Sequence, residues 1–127
     1  MFSVVPQLTV TDIQRSVKFY RKRLGFEVTH KDPEEKPEFV AMEREGISLF
    51  LVSQASREEP DQVEDLKKNK RGIGVRIYFE VDDAREVHAT RKAASVQINR
   101  ELQHNEEENY TEFSILDPDG YEIGIYS

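Results

Sequence analysis

The sequence contains no cysteine, and its apolar runs are only a few residues long. The absence of cysteine excludes disulfide bonds, thiolate metal ligands and cysteine nucleophiles, and it fits a reducing compartment. The runs are too short to span a membrane, and the N-terminus lacks the basic region and long apolar core of a signal peptide. We therefore expect a cytoplasmic protein that does not bind membranes.

Basic residues are also fewer than acidic residues. The chain has 18 Lys and Arg residues against 25 Asp and Glu residues, with a formal net charge of -7 and a pI near 5.0. A surface that follows nucleic-acid phosphates needs clustered basic side chains without acidic neighbours. We therefore expect no nucleic-acid partner. An acidic surface can favour a cationic ligand, although solubility alone is its commoner consequence.

Several catalytic motifs are absent as well. Gly72 and Gly74 lack the lysine and serine pattern of a phosphate-binding loop, and no nucleophile elbow occurs. The histidines His30, His88 and His104 lie in polar stretches, and we predict that all three are exposed. With 127 residues the chain can bury one core, so we predict a single domain over residues 1–127.

The first half predicts a strand, a helix and three further strands. Leu8 and Val10 alternate with polar residues in the first strand. Thr11 has capping-box spacing before the helix, and Gly25 is placed to end it in the left-handed conformation. The apolar stripe of the helix consists of Ile13, Val17, Tyr20 and Leu24. Strands are then predicted over residues 26–29, 39–42 and 47–52, with a polar loop over 30–37.

The second half repeats this order after a charged connector. In the connector, about residues 54–72, Pro60 and the order of acidic before basic residues predict a short helix. A strand over 75–81, a helix from Asp82 to Ala94 and a strand over 96–98 follow. A charged loop over 105–109 leads to two last strands. The pattern predicts two βαβββ modules, about 1–53 and about 73–127.

A tight turn is predicted between the last two strands. Asp117-Pro118-Asp119-Gly120 lies between two apolar runs, and strands are predicted over residues 113–116 and 121–126. Proline presets φ at the second turn position, aspartate can accept hydrogen bonds from the backbone ahead, and glycine tolerates a positive φ. These residues therefore predict a β-hairpin at the end of the chain.

Four segments together carry a resemblance to a known family. They are Leu8-Thr9-Val10-Thr11-Asp12, Ser16-Val17-Lys18-Phe19-Tyr20, Leu24-Gly25-Phe26 and Asp117-Pro118-Asp119-Gly120-Tyr121. The chain resembles the vicinal oxygen chelate superfamily, which contains glyoxalase I, extradiol dioxygenases and the bleomycin-resistance and fosfomycin-resistance proteins. The resemblance implies an α+β fold, in which two βαβββ modules form curved mixed sheets around a cavity, and it implies a homodimer.

The resemblance also implies one metal ligand on each of four strands. In this sequence those positions hold Val5, Phe50, Arg76 and Gly124. Valine and phenylalanine have no lone pair, glycine has no side chain, and arginine is a permanent cation that repels a metal ion. We therefore expect no metal and no other cofactor.

Strand alternation gives an independent prediction of the cavity. The residues predicted to pack against the helices are Leu8, Val10, Leu49, Leu51, Ile77, Phe79, Ile123 and Ile125. The candidate ligand-binding residues on the opposite faces are Gln7, Thr9, Phe50, Arg76, Tyr78, Glu80, Glu122 and Tyr126. Unpaired buried charges are costly. This set therefore favours a cavity for a small molecule over a plain interior, and the alternative is a solvated face with an ion pair.

Three functions follow from these observations. The first is a small-molecule-binding protein of the bleomycin-resistance type, without the metal site, that sequesters its ligand. The second is a glyoxalase-like or dioxygenase-like enzyme, a lyase, isomerase or dioxygenase, whose metal ligands have moved to Glu80, Glu122 or His88. The third is an accessory domain without a small ligand.

Overall fold

The computed structural model describes residues 1–56, 60–93 and 96–127. In the first half it has β1 (Gln7–Val10), α1 (Ile13–Leu24), β2 (Glu27–Asp32), β3 (Phe39–Arg44) and β4 (Ile47–Ser53). A 3-10 helix (Gln54–Ser56) and α2 (Pro60–Lys68) follow. The second half has β5 (Ile77–Glu80), α3 (Ala84–Ala93), β6 (Ile98–Asn105), β7 (Tyr110–Leu116) and β8 (Glu122–Tyr126). The predicted α+β fold of two βαβββ modules is confirmed.

The chain divides into two compact units, Met1–Asn69 and Lys70–Ser127. The sheet of the first unit has the strand order β1-β4-β3-β2, and the sheet of the second has the equivalent order β5-β8-β7-β6. In each sheet the first strand of the unit is parallel to the last, and the other pairs are antiparallel. The internal repeat read from the sequence is therefore a repeat of topology. The single domain over residues 1–127 stays a prediction.

The ends of α1 follow from the residues at its caps. Asp12 has an extended backbone and its carboxylate accepts a hydrogen bond from the Arg15 amide, 3.2 Å away. The N-cap is therefore Asp12, and the prediction of Thr11 is wrong by one residue. Gly25 ends the helix with a φ of 74°, and its amide donates to the Arg21 carbonyl. A left-handed glycine at this place satisfies helix carbonyls that would otherwise lack a donor.

Two strands are longer than their sequences predict. β2 continues through His30 to Asp32, where residues 30–32 pair with residues 39–41 of β3. β6 extends to Asn105 along β7, across two irregularities of register. Both segments are polar because each is an edge strand with solvent on its outer side, so that backbone pairing outweighs weak side-chain propensity. The structure describes α3 as far as Ala93, and Ala94, the predicted end of this helix, lies outside the described residues.

The core of each unit lies between its sheet and its helix. The inward-facing residues with almost no exposure are Leu8, Val10, Leu49, Leu51, Phe113, Ile115, Ile123 and Ile125. The predicted inward face is thus confirmed for six of its eight members, whereas Ile77 and Phe79 are only half-buried. Among the described residues, no helix is long and apolar enough to cross a membrane.

The terminal hairpin has the predicted turn. Gly120 has a φ of 94°, and its amide donates to the Asp117 carbonyl at 3.0 Å. The Asp117 carboxylate accepts hydrogen bonds from the amides of Asp119 and Tyr121, each at 2.9 Å. Asp117 is buried, at 5% exposure. The turn is therefore held by a buried carboxylate that satisfies two backbone donors.

Candidate functional site

The sheet of the second unit has one face covered by α3 and one face that carries polar and aromatic side chains. On the covered side, the His88 ring of α3 lies 5.1 Å from the Phe113 ring of β7. The residues on the opposite face, which we call the polar face, are Tyr78, Glu80, Tyr110, Glu112, Ser114, Glu122, Gly124 and Tyr126, together with Arg76 directly before β5. The strand register places Tyr78 beside Gly124, and Gly124 beside Ser114. Strand pairing thus positions these side chains side by side.

Glu122 is held by three neighbours on the polar face. Its Oε1 lies 2.9 Å from Nε of Arg76. Its Oε2 accepts hydrogen bonds from the Ser114 hydroxyl at 2.6 Å and from the Asn99 amide at 3.0 Å. The Glu122 side chain is only 19% exposed. Charge-assisted hydrogen bonds of this kind are stronger than neutral ones, so the carboxylate is fixed in place.

These contacts change the acidity of both partners. Burial alone would raise the pKa of Glu122, but the hydrogen bonds from Ser114, Arg76 and Asn99 together outweigh it, and the pKa is lowered. The hydrogen bonds that Arg76 makes to Glu122 and then to Tyr78 raise the pKa of its guanidinium. Glu122 is therefore a poor proton donor at neutral pH and serves as a fixed negative charge.

Tyr78 extends the network across the sheet. Its hydroxyl accepts a hydrogen bond from Nη1 of Arg76 at 3.0 Å and donates one to Oε2 of Glu112 at 3.3 Å. Oε1 of Glu112 lies 3.0 Å from Nη1 of Arg100. Two arginines and two glutamates thus balance in charge. Both arginine side chains remain about one-third exposed.

The fourth position that the resemblance assigns to a metal ligand is covered by an aromatic ring. A Cβ built on Gly124 would lie 2.5 Å from two ring carbons of Tyr78. Carbon atoms in contact are separated by about 3.5–4.0 Å, so any side chain at this position requires the ring to move. The Tyr78 ring therefore occupies the space that a carboxylate on β8 would need.

Two cavities adjoin the network within the second unit. One, the loop cavity, has a volume of about 660 Å³, and its lining includes residues 70–76, Asn99 and Glu122. The other, the tyrosine cavity, has a volume of about 370 Å³ and is lined by Tyr78, Tyr110, Glu112 and Tyr126. Volumes of about 300–1,000 Å³ are typical of sites for small molecules.

The structure brings together four of the predicted ligand-binding residues, Arg76, Tyr78, Glu122 and Tyr126. The Tyr78 and Tyr126 rings meet edge to face with centroids 5.8 Å apart. Glu80, a fifth candidate, is the register partner of Tyr126 at the end of β5. The remaining candidates belong to the first unit.

In the first unit, Gln7 and Phe50 are register partners on β1 and β4. Thr9 lies two residues further along β1 and pairs with Val52. The Phe50 ring packs against Phe39 with centroids 5.1 Å apart. Ligand binding by these three residues, as by the candidates of the second unit, stays a prediction.

Sequence reasoning missed several members of the network. Glu112 and Ser114 alternate with the buried residues Thr111 and Phe113 along β7, and that alternation was the available signal. Asn99 and Arg100 lie on β6, where the register shifts between residues 98 and 100 and again between 100 and 103. Bulges interrupt the two-residue period, so alternation could not have placed them.

No group of three or more His, Cys, Asp or Glu side chains that could hold a metal ion occurs in residues 1–56, 60–93 and 96–127. His30 and His104 are exposed as predicted. The prediction is wrong for His88, whose side chain is only 13% exposed and whose Nε2 lies 3.2 Å from the Glu101 carboxylate. His88 packs on Phe113 at the face opposite to the polar face, which separates it from Glu122.

Comparison with known proteins gives a family match and a set of similar folds. The model of the Glyoxalase/Bleomycin resistance protein/Dioxygenase superfamily matches residues 3–125. A search of curated proteins gives no match. The crystal structure of UcmS2 superposes with a TM-score of 0.80 at 19% identity, over 99% of this chain and 98% of that chain.

Two further structures are similarly close. TioX from Micromonospora sp. ML1 has a TM-score of 0.76 at 16% identity, over 99% of this chain and 98% of that chain. A Glyoxalase/bleomycin resistance protein/dioxygenase superfamily member from Sphaerobacter thermophilus DSM 20745 has a TM-score of 0.73 at 20% identity, over 99% and 96%. At these sequence identities the similarity shows a shared fold and does not show a shared function.

Proposed function

This chain belongs to the Glyoxalase/Bleomycin resistance protein/Dioxygenase superfamily, and from that premise we propose that it binds a small organic molecule on the polar face of its second sheet. The proposal includes sequestration of the ligand and the absence of the metal site that the resemblance implies. We also propose a homodimer, because an open sheet has edge strands to cover. A cytoplasmic location stays a prediction.

One observation carries the proposal: the hydrogen-bonded network from Asn99 through Glu122, Arg76, Tyr78 and Glu112 to Arg100 borders both cavities. Every charge in it has a partner within the network. The side chains are therefore held in place before a ligand arrives, which lowers the entropy lost on binding.

Two alternatives to a binding site, a solvated face and an accessory domain without a ligand, explain this arrangement less well. A merely solvated face has no need to surround one carboxylate with three donors, since water would satisfy it. An accessory domain without a ligand has no need of the two open depressions of about 660 and 370 Å³ that adjoin the network. The network thus favours a binding site.

An enzyme with displaced metal ligands has no geometric support in the described residues. Glu122 already has three partners, and His88 lies beyond the opposite face of the sheet. A metal ion needs several donors that converge on one point. We therefore propose binding and not metal-assisted catalysis as the function.

The proposal is tested by a ligand screen on the whole chain, monitored by thermal shift and confirmed by calorimetry. Binding of genuine ligands should weaken by at least about tenfold in Arg76→Gln, because a charged hydrogen-bonding partner at the site is lost. Lys18→Gln makes the same change of charge on the exposed surface of α1 and serves as the matched control. Hits that bind equally well to both variants would exclude the polar face.

The proposed absence of a metal site is tested separately, by elemental mass spectrometry of protein purified without chelator or affinity-tag metal. We expect no stoichiometric metal. One bound transition metal per chain, retained through dialysis, would contradict this part of the proposal and would restore an enzyme as the leading hypothesis.

A further inference from the structure

We infer that the tyrosine cavity binds an organic cation, such as an alkylated ammonium group, and this inference rests on the proposed function because it names the ligand class for part of the same face. The cavity is lined by three tyrosines and one glutamate, Tyr78, Tyr110, Tyr126 and Glu112. Aromatic rings attract cations through the negative potential of their faces, and several rings around one space form a cage for quaternary ammonium groups.

The tyrosine rings border the cavity at an angle to each other and do not stack in parallel. Tyr78 and Tyr126 meet at 81°, so two ring planes stand almost perpendicular to each other. Tyr110 lies two residues before Glu112 on β7, and Glu112 is the register partner of Tyr126 on β8. The third tyrosine therefore stands on the same face beside the other two. A rounded cation can contact more than one ring at once in such a space.

The Tyr78 ring is held in place without a ligand. Its hydroxyl has hydrogen bonds to Arg76 and Glu112, and its ring lies over Gly124. The Arg76 guanidinium carbon is 5.7 Å from the ring centroid, a distance at which a cation and a ring attract each other. Because Arg76 already occupies the neighbourhood of this ring, we expect the ligand cation to contact chiefly the rings of Tyr126 and Tyr110.

Charge also favours a cation. Glu112 lines the cavity, and its side chain is only 14% exposed. The second unit, residues 70–127, contains seven Lys and Arg residues against twelve Asp and Glu residues. Because Arg100 pairs with Glu112, the local carboxylate is partly neutralised, and the rings together with the surplus negative charge of the unit provide the selectivity.

The test compares choline with its neutral carbon isostere, in which a tert-butyl group replaces the trimethylammonium group. The two probes have almost the same shape and differ in charge. Binding to the whole chain is followed by NMR chemical-shift titration and by calorimetry. We expect choline to bind at least about tenfold more tightly than the isostere, because only the charged probe is attracted by the ring faces.

Variants of Tyr126 locate the binding. Tyr126→Leu should weaken choline binding about tenfold, whereas Tyr126→Phe, which keeps the ring, should leave it within about twofold. Phe39→Leu makes an aromatic-to-leucine change in the first unit and should not alter the affinity for choline. Circular dichroism and thermal unfolding establish that each variant is folded.

The outcomes separate this inference from the proposed function. Equal binding of choline and the isostere, or no loss in Tyr126→Leu, overturns the cation inference. If neither probe binds but other molecules from the screen depend on Arg76, the cation inference fails and the proposed function stands. If no molecule binds in a way that depends on the polar face, both fail.

Discussion

The ring of Tyr78 lies over the backbone of Gly124, its register partner on the adjacent strand β8. A Cβ at Gly124 would be 2.5 Å from two carbons of that ring and 3.0 Å from a third. The glycine is therefore required by the tyrosine and not by a turn, since it lies within a regular strand. This pair of residues includes the position that the resemblance assigns to the fourth metal ligand, and it fixes one side of the tyrosine cavity.

We predict that Gly124→Ala destabilises the protein by about 1–3 kcal/mol, the usual cost of overpacking. The new Cβ forces the Tyr78 ring outward, and the ring then loses its hydroxyl contacts with Arg76 and Glu112. Urea unfolding of the variant and the parent protein measures the difference in the free energy of unfolding.

The same substitution in a Tyr78→Ala background is the control for Gly124→Ala. Without the ring the Cβ has space, and alanine is favoured over glycine within a strand. We therefore expect Gly124→Ala to be neutral or slightly stabilising there. An equal loss of unfolding free energy in both backgrounds would show that the Tyr78 ring is not the reason why position 124 requires glycine.

Glu122→Gln should lower the free energy of unfolding by about 1–2 kcal/mol. The amide group keeps only one acceptor atom where the carboxylate accepts from Arg76, Ser114 and Asn99, so at least one polar partner loses its bond. Urea unfolding of single and double variants with Arg76→Met gives the coupling between the two side chains.

An exposed ion pair on α2 provides the comparison for Glu122→Gln. Glu64 and Lys68 lie four residues apart with a 3.9 Å contact, and both side chains are more than half exposed. Surface pairs of this kind contribute about 0–1 kcal/mol, so Glu64→Gln should cost clearly less. If both substitutions cost the same, the network around Glu122 is no more than a solvated pair.

The lowered pKa of Glu122 predicts a pH dependence of stability. Its folded-state pKa lies below the 4.5 of an ordinary glutamate, mainly because the hydrogen bonds from Ser114, Arg76 and Asn99 exceed the opposing effect of burial. A carboxyl group with a depressed folded pKa stabilises the protein above its unfolded pKa, and this contribution disappears as the pH falls through the folded pKa.

The difference in unfolding free energy between the parent protein and Glu122→Gln should therefore be largest above about pH 5 and should shrink below about pH 4. Urea unfolding at a series of pH values measures it. A difference that stays constant over that range would mean that the charge of Glu122 contributes nothing to stability.

The sequence predicted the part of the site that lies on regular strands. Tyr78 lies two positions after Arg76 and Tyr126 lies four positions after Glu122, and strand alternation places residues at such even spacings on one face. Asn99 and Arg100 could not be predicted because β6 changes register twice around them. Glu112 was missed because the strand was predicted to begin at residue 113, whereas β7 begins at Tyr110.

The fold was predicted more fully than the site for a related reason. The repeated order of elements depends on apolar periodicity and turn residues, which are local in sequence. The contacts of the network join residues that are far apart in the sequence, with 34 positions between Tyr78 and Glu112 and 46 between Arg76 and Glu122. His88 illustrates the same limit. The polar residues next to it in the sequence predict an exposed side chain, whereas its ring packs on Phe113 of β7.

Asp117→Ala should cost about 1–3 kcal/mol, because it leaves the amides of Asp119 and Tyr121 without their acceptor in a turn where Asp117 is only 5% exposed. Asp117→Asn keeps an acceptor oxygen and should cost less. Asp65→Ala, an exposed aspartate on α2, should stay within about 0.5 kcal/mol. Urea unfolding, with hydrogen exchange of the Tyr121 amide, measures these effects. If the asparagine variant is as unstable as the alanine variant, the charge of Asp117, and not its role as an acceptor, holds the hairpin.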